Sequence, residues 1–594
     1  MSSHRFLNPY NFVRYLPQGK EKDTPENKLL GKCAPPPHDR FIGLTGRIEC
    51  ELKAVTPIFV SDPEEVHVND KVKEHKSYRF FRLNENGQEY FAIPSTTLRG
   101  TLRSVFEAAT NSCFSIFEGG LLGKRERPEE YDETPLIAGL IIEIPKSENK
   151  LGRVKQMKAY RLPHNRFPRY TNNFRMNGKK VLVKIDNNEV SEVKEYNAKE
   201  KNTGGYLEGY LKTSDKGIPG STQKRNECVF VDDNSSTYFE LSYETYQNYV
   251  IANRNNRHEH TKYPRPGDTI WFRVGKNRKK INEFGYAQIY RKPFSKSIGD
   301  LLPKEFHPCS DYNELCPACR VFGWVHQNPS KELEMKVSYA GRIRISHAKI
   351  VENKDHQKEF PCAILSTPKP TTTYFYLFEK GKPKLSVTYD TPGAQLRGRK
   401  FYRHQTEAKE QEYIRTDNII IDKQNRTIRD ALNPGAKFQF TIEFENLAPV
   451  ELGALLWSIE MEDEMHHKLG LAKPLGFGSV KISIENISIL NIKERYASYS
   501  NTEWKKITNQ KIKECKNSFK QAMENKYNKT FEELENVKDL KAILSAPSSG
   551  LTVHYPRTSE KPGVEGRNFQ WFVKNKKQGI PLKIASEDNE GLPS

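Results

Sequence analysis

Three of the nine cysteines fall in one short stretch, His307-Pro-Cys309 followed by Cys316-Pro-Ala-Cys319. A C-x2-C pair with a third Cys seven positions upstream and a His two before that sets four soft or borderline donors within thirteen residues, which suits tetrahedral zinc. Cys113 competes with His307 for the fourth place. A group of buried reduced cysteines near a turn would leave the same trace, and a redox role is weaker because no strand leads into a helix there. A second stretch, Ile93-Pro-Ser-Thr-Thr-Leu-Arg-Gly-Thr-Leu-Arg103, opens a helix whose unpaired N–H groups lie beside Arg99 and Arg103. Such a start suits a phosphate, although an ordinary capped helix with solvated arginines reads the same way. The third stretch, Leu469 to Val480, carries Gly470, Gly476 and Gly478, which permit positive φ and close backbone approach. It is not a nucleotide fingerprint: G-x-x-x-x-G-K-[ST] is absent, and Gly476-Phe-Gly478 precedes a strand, as a tight turn would.

The elements that must position these groups are legible from periodicity. Arg47 to Val60 alternates apolar and polar residues and predicts a strand. Ser95 or Thr96 then reads as the N-cap of a helix carrying Leu98, Leu102, Val105, Phe106 and Ala109. Tyr339 to Ile350 and Lys437 to Phe444 alternate again, Val450 to Met461 is helical, and Ser479 to Leu490 closes with a strand. In order these are β, α, β, β, α, β: an α+β chain with a ferredoxin-like, RRM-like βαββαβ core interrupted twice. The segments expected are an N-terminal arm (1–40), the first part of the core (41–120), a basic insertion (121–305), the cysteine knuckle with the second part of the core (306–491), and a polar extension (492–594). The second interruption, Leu365 to Asp430, has a basic centre at residues 396–404 and predicts a projecting hairpin. In the extension, Thr502 to Asn525 is the best helix. Phe569 to Lys577 interleaves aromatic and basic residues, as a single-strand binder or a docking strand would.

Composition narrows the classes. A chain of 594 residues exceeds one simple core. With 36% apolar residues and no apolar run of about twenty, neither wholesale disorder nor a membrane span is expected. Nine scattered cysteines do not make a disulfide scaffold, so a reducing, cytoplasmic setting is expected. The net charge of +20 favours a polyanion, and residues 151–230 alone hold 17 Lys+Arg against 8 Asp+Glu.

Taken together, IPSTTLRGTLRSVFE, LCPACRVFGW and LGLAKPLGFGSV resemble, in that order, the RAMP superfamily of CRISPR-associated proteins. The resemblance is in particular to backbone subunits of type III effectors, and suggests the type III-D-like kind with a large insertion. It covers about Phe41 to Leu490. It implies a subunit that binds guide RNA, meets complementary target RNA and assembles with other effector subunits, with no membrane partner. By resemblance, Arg99, Arg103 and Lys473 become guide-phosphate contacts, and the hairpin around Arg397, Arg399, Lys400 and Arg403 becomes the thumb that kinks the duplex. Active members cleave target RNA with an Asp in the loop after the first strand. In Ser61 to Arg79 that role falls to Asp70, with Asp62, His67 and His75 as alternatives and Mg²⁺ or Mn²⁺ as the metal. A stand-alone endoribonuclease that processes guide precursors, or a non-catalytic structural subunit, are the competing readings.

Overall fold

Period-2 burial sets the central sheet of this computed structural model, which describes residues 4–17, 25–72, 74–125, 135–163, 178–200, 203–212, 226–232, 236–253, 262–275, 279–288, 290–327, 336–352, 355–365, 368–500 and 504–594. Strand β1 (Leu44–Ala54) turns Ile48, Cys50, Leu52 and Ala54 inward. Helix α1 is Ser95–Ala109 and strand β2 is Ala348–Glu352. Strand β3 (Lys437–Leu447) buries Phe438, Phe440, Ile442 and Phe444. Helix α2 (Pro449–Ile459) is buried from Val450 to Ile459, and strand β4 is Ser479–Ile489. The sheet runs β4-β1-β3-β2, every pairing antiparallel, with Gln88–Ile93 adding a strand beyond β2. The result is a mixed α+β fold. Apolar side chains of α1, α2 and the inward strand faces share one core, while Glu49, Gln439, Glu443 and Glu485 are exposed.

The chain divides into two units, Met1–Glu118 with Gly299–Ser594, and Gly119–Ile298. In the second unit, Gly152–Pro163 is a long strand within a nine-stranded sheet. Its later half pairs with Asn226–Val231 and, through Arg161 and Glu189, closes a small barrel around Val181, Val183, Leu211, Val229 and Val231.

Several expectations are corrected. Pro94, not Ser95 or Thr96, is the N-cap of α1, without a side-chain cap; the Ser95 N–H donates to His347 Nδ1 at 3.2 Å instead. Residues 396–404 do not project. Arg399–Tyr402 pairs antiparallel with Tyr10–Val13 inside the first unit, because alternate side chains there find apolar and carbonyl-rich surroundings. The tail segment forms the helix Phe569–Gln578 with Trp571 buried, its Nε1 donating to the Pro593 carbonyl. The extension helix spans Asn509–Tyr527, and its Thr508 cap accepts from the Lys511 N–H.

Candidate metal centre and the cleft beside the glycine-rich loop

Four cysteines converge: Cys113, Cys309, Cys316 and Cys319, all buried, with their sulfurs within 4.8 Å of one another. Cys113 Sγ lies 3.7 Å from Cys319 Sγ, 3.7 Å from Cys309 Sγ and 3.5 Å from Cys316 Sγ. Zn–S bonds of about 2.3 Å place the sulfurs of a tetrahedron about 3.8 Å apart, so this donor set fits a tetrahedral divalent ion such as zinc. Local structure explains the convergence. Cys113 follows the end of α1, where Asn111 turns the chain through φ 52°. Cys316 caps the helix Pro317–Phe322 with Pro317 in its first turn, and Cys319 lies one turn on. The Cys316 N–H donates to Cys309 Sγ at 3.3 Å, and Trp324 Nε1 donates to the Cys309 carbonyl at 2.6 Å.

Electrostatics favour a cation there. Burial alone would raise Cys316, but hydrogen bonds from Cys113, Cys309 and Cys319 outweigh it and hold this thiol well below its ordinary value. Cys113 and Cys319 are pushed up, first by those same sulfur hydrogen bonds. A divalent ion that displaces the thiol protons would resolve this competition among the four sulfurs.

His307 is not part of this set. Its Nε2 lies 3.2 Å from the Gly299 carbonyl and 3.0 Å from the Leu302 carbonyl, so the ring closes the turn before the knuckle. Cys113, distant in sequence and brought in by α1, occupies the fourth place.

The expected RNA-facing arginines are mostly committed inward. Arg99 donates to the Ile343 carbonyl at 3.1 Å and to the Phe322 carbonyl. Arg103 pairs with Glu107 at 2.8 Å and reaches Cys319 Sγ at 3.9 Å. Arg397 is buried on the Leu377 and Tyr374 carbonyls. Arg399 donates to the Ser112 carbonyl and lies 4.1 Å over the Phe114 ring. Arg403 is buried with Asp588 at 2.8 Å. Guanidinium forks satisfy carbonyl-lined interiors, and sequence alone does not separate that use from phosphate binding.

Two lysines behave differently. Lys400 and Lys473 line a cleft of about 790 Å³ between α1 and the glycine-rich loop. Lys400 Nζ sits 3.9 Å from the Tyr10 ring centre and 5.1 Å from that of Tyr402; Lys473 Nζ sits 5.5 Å from Tyr402. Among the described residues, neither has a carboxylate or a hydrogen-bond acceptor. Lys400 opens onto solvent, yet the surrounding walls strip water from its ammonium and, with Lys473 nearby, bring it down to about 8. Burial lowers Lys473 as well. Lys468 Nζ donates to the Gly476 and Phe477 carbonyls, and burial followed by Lys473 brings it to about 7. The opposite wall is Thr97, Gly100, Thr101 and Ser104, a stripe of small polar residues at helical spacing that reading the sequence did not single out. That spacing was the signal that could have found it.

The glycines of the loop serve the chain's own path. Gly478 has φ +75°, and a Cβ there would stand 1.9 Å from the Leu469 carbonyl oxygen. Gly470 and Gly476 also take positive φ. Of the cleavage candidates, Asp62 is buried and pairs with Arg79 at 3.2 Å. His75 is buried between the Asp422 carbonyl and the Thr427 hydroxyl. The expected loop is a hairpin of Ser61–Val68 with Lys76–Phe80, and Asp70 is exposed at its turn, with His67 exposed on the first strand.

No protein-family model matches the chain, and no curated protein does. Among solved structures, the crystal structure of Thermofilum pendens Csc2 is similar to it at 12% identity and a TM-score of 0.17, over 37% of this chain and 57% of that one. The match therefore spans little more than half the length of that protein. No helix among the described residues is long and apolar enough to cross a membrane.

Proposed function

We propose that this chain binds RNA through the cleft between α1 and the glycine-rich loop. Its role in this reading is that of a guide-RNA-binding backbone subunit of a type III CRISPR effector, with zinc in the four-cysteine centre. The observation that carries it is the pair of lysines, Lys400 and Lys473, left without anionic partners among the described residues around Tyr402 in a cleft large enough for a nucleotide. Two cations lowered by burial, Lys400 also by Lys473 beside it, gain most from a phosphate, and an aromatic ring beside them suits a splayed base. The strand order β4-β1-β3-β2 supports a ferredoxin-like core, and the three ordered motifs support the RAMP resemblance. Contact through the outer sheet face, as in RRM domains, is less favoured, since Glu49, Glu443 and Glu485 are exposed there.

In this reading the thumb role passes from residues 396–404 to residues 415–425, where Arg415 pairs with Asp417 at 2.6 Å and Asp422 at 2.7 Å beside the exposed Ile419, Ile420 and Ile421. Target cleavage is assigned to Asp70, whose carboxylate is free to hold a divalent ion, because Asp62 and His75 are already engaged.

The test is binding of labelled single-stranded RNA by the full chain over a salt series. Lys400→Ala and Lys473→Ala should each weaken binding about tenfold and lower the salt slope by about 0.7. Wild-type affinity and slope in the double variant would overturn the cleft. If guide-length RNA is bound and Mg²⁺ yields no cut that Asp70→Asn abolishes, the subunit is structural and the cleavage assignment fails.

A further inference from the structure

Two arginines beside the four cysteines present a charge problem that the protein alone leaves open. Arg399 is 8% exposed, and no carboxylate pairs with it among the described residues. Its guanidinium has the Ser112 carbonyl and the Phe114 ring, while its Nε is buried without an acceptor. The anionic groups whose field it feels are Glu107, Cys113 and Cys316. Glu107 is already engaged by Arg103 at 2.8 Å and by the Ser115 hydroxyl at 2.6 Å. Arg103 turns its remaining nitrogens to the Gly323 carbonyl and to Cys319 Sγ. A buried cation without a counter-charge is costly, whereas a divalent ion on four thiolates carries two negative charges into the same low-dielectric region.

We propose that Arg399 and Arg103 are the counter-cations of a tetrathiolate metal centre, positioning residues that hold its excess negative charge rather than contacts for RNA. Arg399 balances the Cys113 and Cys316 side, and Arg103, which Glu107 holds in place at 2.8 Å, balances the Cys319 side. Both residues belong to elements that wall the cleft, although neither side chain lines it. Arg399 adjoins Lys400 on its strand, and Arg103 shares α1 with Thr97, Gly100 and Thr101. The metal centre therefore braces the two surfaces between which the proposed RNA site opens.

The inference rests on the metal reading, and the experiment separates their failures. Full-length protein is loaded with Zn²⁺ or Co²⁺, and retention is read by competition with a chromophoric chelator, with the thiolate-to-cobalt absorption as a second signal. Wild type should hold one ion per chain. Arg399→Met should release it about 10–100-fold more readily, as loss of an outer-shell partner does. Arg399→Lys should recover part of that loss. Arg397→Met removes another buried guanidinium, 1% exposed, from the same segment and should leave retention unchanged. Should Arg399→Met not fold, Arg103→Gln, at a half-buried site, should show a smaller loss of the same sign with a shifted cobalt band. Wild-type retention in both Arg399→Met and Arg103→Gln, or an equal loss in Arg397→Met, overturns the inference. A wild-type chain that takes up neither ion overturns the metal reading itself.

Discussion

Two places in the first unit gather positive charge, and they treat it in opposite ways. Behind the knuckle, Arg320 and Arg342 clasp Glu451 at 3.2 and 2.6 Å, all three buried. Their remaining nitrogens reach the carbonyls of Leu29, Gly31, Leu315, Arg320 and Asn446, so no guanidinium nitrogen lacks an acceptor. Glu451 also accepts from the Ala448 N–H at the start of α2, and although burial would raise it, the two arginines hold it low. In the cleft, Lys400 and Lys473 lie beside the rings of Tyr10 and Tyr402, with no carboxylate partner among the described residues. The first arrangement is closed and ties the N-terminal arm, the knuckle helix and α2 together. The second is open, and open charge at a concave surface is what a ligand can complete.

Breaking the closed region should have the largest effect. Glu451→Leu strands two buried guanidinium groups and should cost about 3–5 kcal/mol, read as a drop in the denaturation midpoint. A midpoint within error of wild type would show that the arginines find other acceptors. The same change should leave the RNA affinity of the folded fraction intact, since none of the three side chains lines the cleft.

Acid should act on the open side next. His404, His467 and His554 are buried and brought down to about 3, 4 and 3, first by loss of water and then, for His404 and His554, by neighbouring positive groups. His467 lines the cleft, and His404 stacks on His466 at 4.1 Å. An imidazole whose folded value lies below its unfolded value of about 6.5 contributes stability that is complete above that pH. The contribution fades as pH falls from about 6.5 toward 3–4. Roughly 1 kcal/mol should be lost for each imidazole by pH 5.5. A denaturation series from pH 7.5 to 5 that stays flat would mean the rings take up protons without strain. His467→Asn should flatten the acid limb, because it removes one titrating group while keeping an amide that can donate to the Ile459 carbonyl, as Nε2 does at 3.0 Å.

The contrast also explains what could be read without coordinates. The long strands of the mixed α+β core are legible because Ile48, Cys50 and Leu52, and later Phe438, Phe440 and Ile442, keep strict period 2. Cys316 and Cys319 are legible because one turn of helix fixes their spacing, whereas Cys113 reaches them only through the packing of α1. Arg397, Arg399 and Arg403 misled because basic residues on a strand look alike whether they meet carbonyls or phosphates. What separates them from Lys400 is alternation: the odd-numbered residues of that strand turn inward, and Lys400 turns outward. That pattern lies in the sequence, but its sense depends on the Tyr10–Val13 strand laid against it from the far end of the chain.

The smallest effect gives the sharpest test of the open region. Gly100 lies within α1, and a Cβ there would meet nothing within 4 Å. Its own packing gives no reason for a glycine, which costs a helix interior about 0.5–1 kcal/mol relative to Ala. The residue faces Lys400 and Lys473 across the cleft, where a ligand backbone pressed against the helix would need that missing carbon. Gly100→Ala should therefore raise the stability of the free protein by about 0.5–1 kcal/mol while weakening RNA binding severalfold, two changes of opposite benefit from one methyl group. Higher stability with unchanged RNA affinity would remove α1 from the contact surface and leave the lysine wall alone. Lower stability would show that the helix face is already filled in solution.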